Sequence, residues 1–146
     1  MSLPTNNEVL RELEAAAKSG DDRVIGAAML HAFQTGLSCE FVPALVDILV
    51  QPSHRSHEDI VLALQELKDA RAVDAIYDAA LVQHDYLAYD EFSGLARKCT
   101  WALADIGTPE ARTRLEMLAQ HRSSQIAGYA KKRLERWNDE RHRKGA

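Results

Sequence analysis

The sequence predicts an all-α fold: about eight helices, paired as about four hairpins stacked into a short right-handed α-solenoid. Three observations predict it. Ala and Leu dominate, with 22 Ala and 17 Leu against 8 Val and 6 Ile, a balance that favours helix over strand. Every apolar segment recurs at helical rather than alternating spacing. The segments are joined by short turns and repeat one another at a fixed offset.

The elements follow in order. Helix one runs from about Asn6 to Ser19, with Val9, Leu10, Leu13, Ala16 and Ala17 on one face and Gly20 as its stop. Asp21 caps helix two, which buries Val24, Ile25, Ala28, Met29, Ala32 and Phe33 and ends at Gly36. Ser38 caps helix three, whose stripe is Phe41, Ala44, Leu45, Ile48 and Leu49. Pro43 tightens its start and Pro52 forbids its continuation. Ser56 caps helix four, with Glu58 and Asp59 at the positive end of its dipole and Ile60, Ala63, Leu64 and Leu67 inside. Asp69 caps helix five, built on Val73, Ile76, Tyr77, Ala80 and Leu81. A longer connection, roughly Gln83 to Tyr89, precedes helix six. That helix begins behind Asp90, buries Phe92, Leu95, Ala96, Cys99, Leu103 and Ile106, and ends at Gly107. Thr108-Pro109-Glu110 opens helix seven with a cap, a first-turn proline and an acid. Helix eight starts near Ser123 or Ser124 and uses Ile126, Ala130, Leu134 and Trp137.

One domain, residues 1–146, accounts for a chain of 146 residues that is 46% hydrophobic and 27% charged. No apolar run is long enough to span a membrane, and the first residues lack a basic, apolar leader. A cytoplasmic protein is expected, with Cys39 and Cys99 as reduced, mostly buried thiols. Charge is uneven. Residues 1–130 carry a formal −8 and residues 131–146 a formal +4. The basic run is Lys131, Lys132, Arg133, Arg136, Arg141, Arg143 and Lys144, among Glu135, Asp139 and Glu140. It reads as a solvated helix end running into a basic, frayed tail at 138–146, with phosphate binding as the alternative. The acidic body repels nucleic acid and attracts basic partners.

At an offset of 39, Ala63, Leu64 and Ala72 recur identically as Ala102, Leu103 and Ala111, while Glu66/Asp105 and Leu67/Ile106 are similar. At an offset of 31, Leu95, Cys99, Leu103 and Ile106 map onto Ile126, Ala130, Leu134 and Trp137. The difference of eight is about the length of the 83–89 connection, and the first half repeats less clearly. The stretches Ala63–Ile76 and 101–111 (Trp-Ala-Leu-Ala-Asp-Ile-Gly-Thr-Pro-Glu-Ala) resemble HEAT repeats, in particular the short phycobilisome-lyase-like class. The resemblance implies stacked hairpins one/two, three/four, five/six and seven/eight, with the even-numbered helices on the concave side. It says little about function, because such repeats serve many roles.

Two surfaces are candidates for binding. On the face of helices four and six turned from the core, Leu62 and Trp101 form an apolar centre. Glu58, Asp59, Glu66 and Asp105 surround it, with Lys98 nearby. Aromatic anchors rimmed by charge are typical of binding hot spots. The alternative is that Trp101 packs under the neighbouring helix pair. The second surface is the connection that breaks the repeat, with Asp85, Tyr86, Tyr89 and Glu91 as contacts for a basic protein. Its alternative is that the two tyrosines fold back over the next hairpin while Asp90 caps helix six.

Catalytic chemistry has little support. His54 and His57 with Glu58 and Asp59 lack a third ligand at useful spacing, and no metal or cofactor is expected. His31, His84 and His121 are scattered with no obvious partner. There is no Cys-x-x-Cys, phosphate loop or Gly-x-Ser-x-Gly, and Cys99 sits inertly on an apolar stripe. HEAT-like deoxyhypusine hydroxylases use several His-Glu pairs, and this chain has only His57-Glu58. HEAT-like DNA glycosylases work on a basic concave face, at odds with the acidic body. The expected function is a non-enzymatic protein-binding module whose partner is another, basic protein. Its most concrete form is an immunity protein that neutralises a bacterial toxin by stoichiometric binding. The alternatives are a generic HEAT-repeat adaptor and a bilin lyase or chaperone-like subunit.

Overall fold

The computed structural model describes residues 2–90 and 93–143, with side chains through residue 140. Glu91, Phe92 and Lys144, and the side chains of Arg141 and Arg143, lie outside the described residues. Within them every regular element is helical. The α-helices are α1 (Asn6–Ser19), α2 (Asp22–Thr35), α3 (Val42–Leu49), α4 (His57–Leu67), α5 (Val73–Leu81), α6 (Gly94–Ile106), α7 (Pro109–Leu118), α8 (Ser124–Glu135) and α9 (Trp137–Arg143).

Local chemistry explains most of the boundaries. Thr5 and Glu8 form a reciprocal capping box on α1, and Gly20 ends that helix in the left-handed region. Asp21, Thr108 and Ser123 accept from the first free N–H groups of α2, α7 and α8. Ser38 and Asp69 also cap, but each caps a single 3₁₀ turn (Cys39–Phe41 and Ala70–Ala72) that precedes α3 and α5.

Four expectations need correction. Ser56 does not cap α4; its side chain makes no cap bond. Helix six starts at Gly94 rather than directly behind Asp90. Asp90 still serves it, because its Oδ2 accepts from the Gly94 N–H at 2.8 Å. A Cβ at position 94 would crowd that oxygen, so any other residue there would displace the Asp90 side chain from this contact. Helix eight ends at Glu135 and the chain turns at Arg136, so Trp137 begins α9 and a ninth α-helix is present. Finally, Val24 and Leu81 are exposed. Val24 sits one residue off the Ile25–Ala28–Met29–Ala32 stripe, and Leu81 is the last residue of α5.

The helices form two layers. Helices α1, α3, α5 and α7 stack in sequence as one layer and α2, α4, α6 and α8 as the other. The hairpins α1/α2, α3/α4, α5/α6 and α7/α8 bridge them. One continuous core runs between the layers, from Val9 and Leu13 through Phe41, Leu45, Ile60, Leu64, Ile76 and Leu103 to Leu115 and Ala130. Polar bridges between successive hairpins record the repeat. Gln51 reaches Ala17 O, Ser53 reaches Gly20 O and Asn6 reaches Glu40, at separations of 33–34 residues. Lys98–Glu58, Gln65–Asp105 and Arg114–Asp74 span 40. Ser93–Gln125 spans 32. Residues 1–55 therefore share the stacking geometry despite their weaker sequence match. The step of 40 is the one that contains the long connection after α5.

Candidate functional site

The α4 edge carries exposed acids. Asp59 and Glu66 are exposed, and Leu62 between them is 44% exposed. Glu58 is half-buried and holds Lys98 of α6 in a 2.6 Å ion pair. Asp105 accepts from Gln65 at 2.8 Å, which draws it into the seam between α4 and α6.

Trp101 is half-buried rather than an open anchor. The guanidinium of Arg133 on α8 lies 3.6 Å from its ring centroid, a cation–π contact that covers one face. Trp101 is thus partly covered from the neighbouring hairpin and still lines the grooves beside it. Arg133 is only 4% exposed and pairs with Glu140 of α9, itself 5% exposed. The basic run is therefore not simply solvated: one of its arginines is buried and its acid turns back to meet it. Burial lowers the Arg133 pKa, opposed by the Glu140 charge. Arg136 also approaches Glu140, at 3.4 Å. The other oxygen of Glu140, Oε2, is buried with no hydrogen-bond partner among the described residues.

Around these residues runs a groove of about 560 Å³ between α6 and α8. Arg97, Lys132 and Arg136 stand on its rim, Trp101 and Tyr129 line its walls, and the Arg133–Glu140 pair forms its floor. A shallower groove of about 310 Å³ adjoins it and brings together Glu58, Tyr89, Lys98 and Trp101. The surroundings of Trp101 are thus mixed on the α4 side and basic on the α8 side, not uniformly acidic.

The long connection divides in two. Tyr86 folds back: its hydroxyl lies 2.7 Å from Nδ1 of His57 and accepts the His57 backbone N–H at 3.3 Å. A hydroxyl 29 residues away in sequence thereby satisfies a free donor at the start of α4 that Ser56 leaves open. Tyr89, by contrast, is 80% exposed, and Asp85 is exposed.

Behind Tyr86 lies a cluster that sequence reasoning missed. The rings of His54 and His57 stack at 4.0 Å, and those of His57 and His84 at 3.7 Å. His57 is fully buried, with Nε2 2.7 Å from the Gln51 carbonyl. A carbonyl only accepts, so Nε2 carries the proton and Nδ1 receives the Tyr86 O–H. His54 likewise donates through Nε2 to Ile48 O and accepts the Ser56 N–H at Nδ1. Burial pushes all three pKa values down, His57 to about 4, and neighbouring imidazoles add to the effect for His57 and His84. Asp22 and Asp85 oppose it for His54 and His84. His31 and His121 also have partners: Glu12 at 2.8 Å and the Ser123 N–H. The clue available in sequence was the connection itself, since a segment that breaks the repeat has to be tied down somewhere.

Among the described residues no group of three or more His, Cys, Asp or Glu side chains is arranged to hold a metal ion. His54 and His57 point their nitrogens at backbone and Tyr86 rather than at a shared centre. Cys99 is buried, which pushes its thiol pKa up, whereas Cys39 is exposed, contrary to expectation. No described helix is long and apolar enough to cross a membrane.

Comparison with known proteins agrees with the architecture. Residues 95–121, covering most of α6 and α7, match the family model of the PBS lyase HEAT-like repeat. The 101–111 stretch lies inside the match and Ala63–Ile76 outside it. No curated protein and no solved structure matches the chain. The α6–α7 segment is similar to a PBS lyase HEAT-like repeat, and the described residues form an all-helical, HEAT-like stack around it.

Proposed function

We propose that this chain is a non-enzymatic protein-binding module whose partner presents a basic surface with apolar patches. The observation that carries the reading is the α4 edge. There Leu62 (44% exposed) lies between the exposed acids Asp59 and Glu66, with Tyr89 (80% exposed) at the tip of the nearby connection. Apolar anchors among like charges suit a partner of opposite charge, which they steer and then desolvate. HEAT-like stacks commonly present such surfaces. The most concrete form of this reading is an immunity protein that occludes a basic, nucleic-acid-directed toxin domain.

The test is co-purification of the tagged chain with proteins of its own host, repeated with a Leu62→Ser/Glu66→Lys/Tyr89→Ser variant of unchanged helicity. One stoichiometric basic partner, lost in the variant, is the expected result. Rescue of cells that express that partner would establish immunity. A partner retained by the variant, or no partner at all, overturns the α4 reading. A visible absorbance change with an added linear tetrapyrrole would favour the lyase-like alternative.

A further inference from the structure

We propose that the groove between α6 and α8 binds a small organic phosphate, at a site separate from the α4 edge and independent of the reading above. The chemistry of the lining comes first. Four cations, Arg97, Lys132, Arg133 and Arg136, face one carboxylate, Glu140. That carboxylate is already shared by Arg133 and Arg136. Arg97, Lys132 and Arg136 are exposed on the rim and come from two helix faces and a helix end. Three cationic donors around one groove suit a dianion with several peripheral oxygens better than a single carboxylate.

The floor and walls add two further requirements. Glu140 lines the groove, and its Oε2 is a buried acceptor with no hydrogen-bond partner among the described residues. A buried acceptor left bare is costly, so a ligand that brings a hydroxyl is favoured. Trp101 and Tyr129 supply aromatic walls against which a base or sugar ring can lie. The volume of about 560 Å³ lies within the range of small-molecule sites.

The surroundings argue against a long polyanion. Glu58, Asp59 and Glu66 of α4 lie to one side, and Asp90 lines the adjoining groove. Lys98 on that side is already paired with Glu58. A nucleic-acid backbone leaving the groove on the α4 side would meet carboxylates.

The test is a titration read on the two tryptophan indole N–H signals in an NMR correlation spectrum, with Trp101 assigned through Trp137→Phe. The probes are adenosine monophosphate, ribose 5-phosphate and inorganic phosphate; adenosine and citrate are controls. Both organic phosphates are expected to move the Trp101 signal saturably, inorganic phosphate more weakly, and the controls not at all. An Arg97→Ser/Lys132→Ser variant with unchanged circular dichroism is expected to bind at least about tenfold more weakly. Should the double variant fail to fold, Lys132→Ser alone makes the same test. The proposal is overturned if no organic phosphate gives a saturable shift at tens of millimolar. Equal binding of citrate or inorganic phosphate, or unchanged binding by the folded variant, also overturns it. So does an affinity for single-stranded oligonucleotides that rises with length, which would indicate a nucleic-acid surface instead.

Discussion

Beside the α3–α4 hairpin, the buried rings of His54 and His57 stack with the half-buried ring of His84, and each nitrogen of His54 and His57 meets a backbone group or the Tyr86 hydroxyl. At the α6–α8 end, Arg133 and Glu140 are buried as a charged pair beneath Trp101 and α9. Both clusters close a junction that the repeat leaves incomplete. The first ties down the long connection after α5, and the second docks α9 onto α8. The difference is what each can tolerate. Stacked neutral rings resist gaining a proton, whereas a buried ion pair resists losing either partner.

The comparison is broken most severely at the charged end. Arg133→Ala leaves the buried Glu140 with only the longer contact to the exposed Arg136 and is expected to cost up to about 3–5 kcal/mol in urea unfolding. Replacing both groups by apolar side chains (Arg133→Met with Glu140→Leu) should recover most of that loss. Equal instability in the single and double variants would show that packing, not charge, holds this junction.

Acid probes the histidine end next. The folded pKa of His57 is about 4 against an ordinary 6.5. The unfolded chain therefore takes up protons first. The stabilising difference is fully present above about pH 6.5 and is lost as pH falls towards 4. His57 alone accounts for at most about 3 kcal/mol of this acid limb, and His54 and His84 act in the same direction. A His57→Phe variant should show a shallower limb between those pH values, even if it is less stable at neutral pH. An unchanged limb would place the acid sensitivity elsewhere.

Tyr86→Phe sharpens the same end more gently. It removes one hydroxyl that serves both the His57 ring and the first turn of α4, at a cost of about 1–2 kcal/mol. Hydrogen exchange at the start of α4 should speed up while α8 is unaffected. Lys98→Ala lies between the two ends and breaks a half-exposed ion pair. It should change stability by less than about 1 kcal/mol, and by less still in high salt.

The two ends were unequally legible in sequence. Caps such as Asp21, Thr108 and Ser123 act within a few residues, so their chemistry is readable along the chain. The charged surface of α4 was legible too, because acids off the apolar stripe of a helix face outward. Trp101 was ambiguous because its environment depends on Arg133, 32 residues away and one repeat later. The partners of His57 and His84 were not legible at all, since neither belongs to a repeated position.

The sequence by itself determined the all-helical class, the spacing of the hairpins and most of the helix caps. These follow from periodicity and capping, which are local. Tertiary structure alone decided the charge around Trp101, the folding back of Tyr86 but not Tyr89, and the burial of Arg133 and Glu140. Those depend on which side chains stacking brings within a few ångströms, and burial then changes what each group costs. A repeat pattern specifies that neighbouring hairpins touch; it does not specify what the residues outside the pattern find when they do.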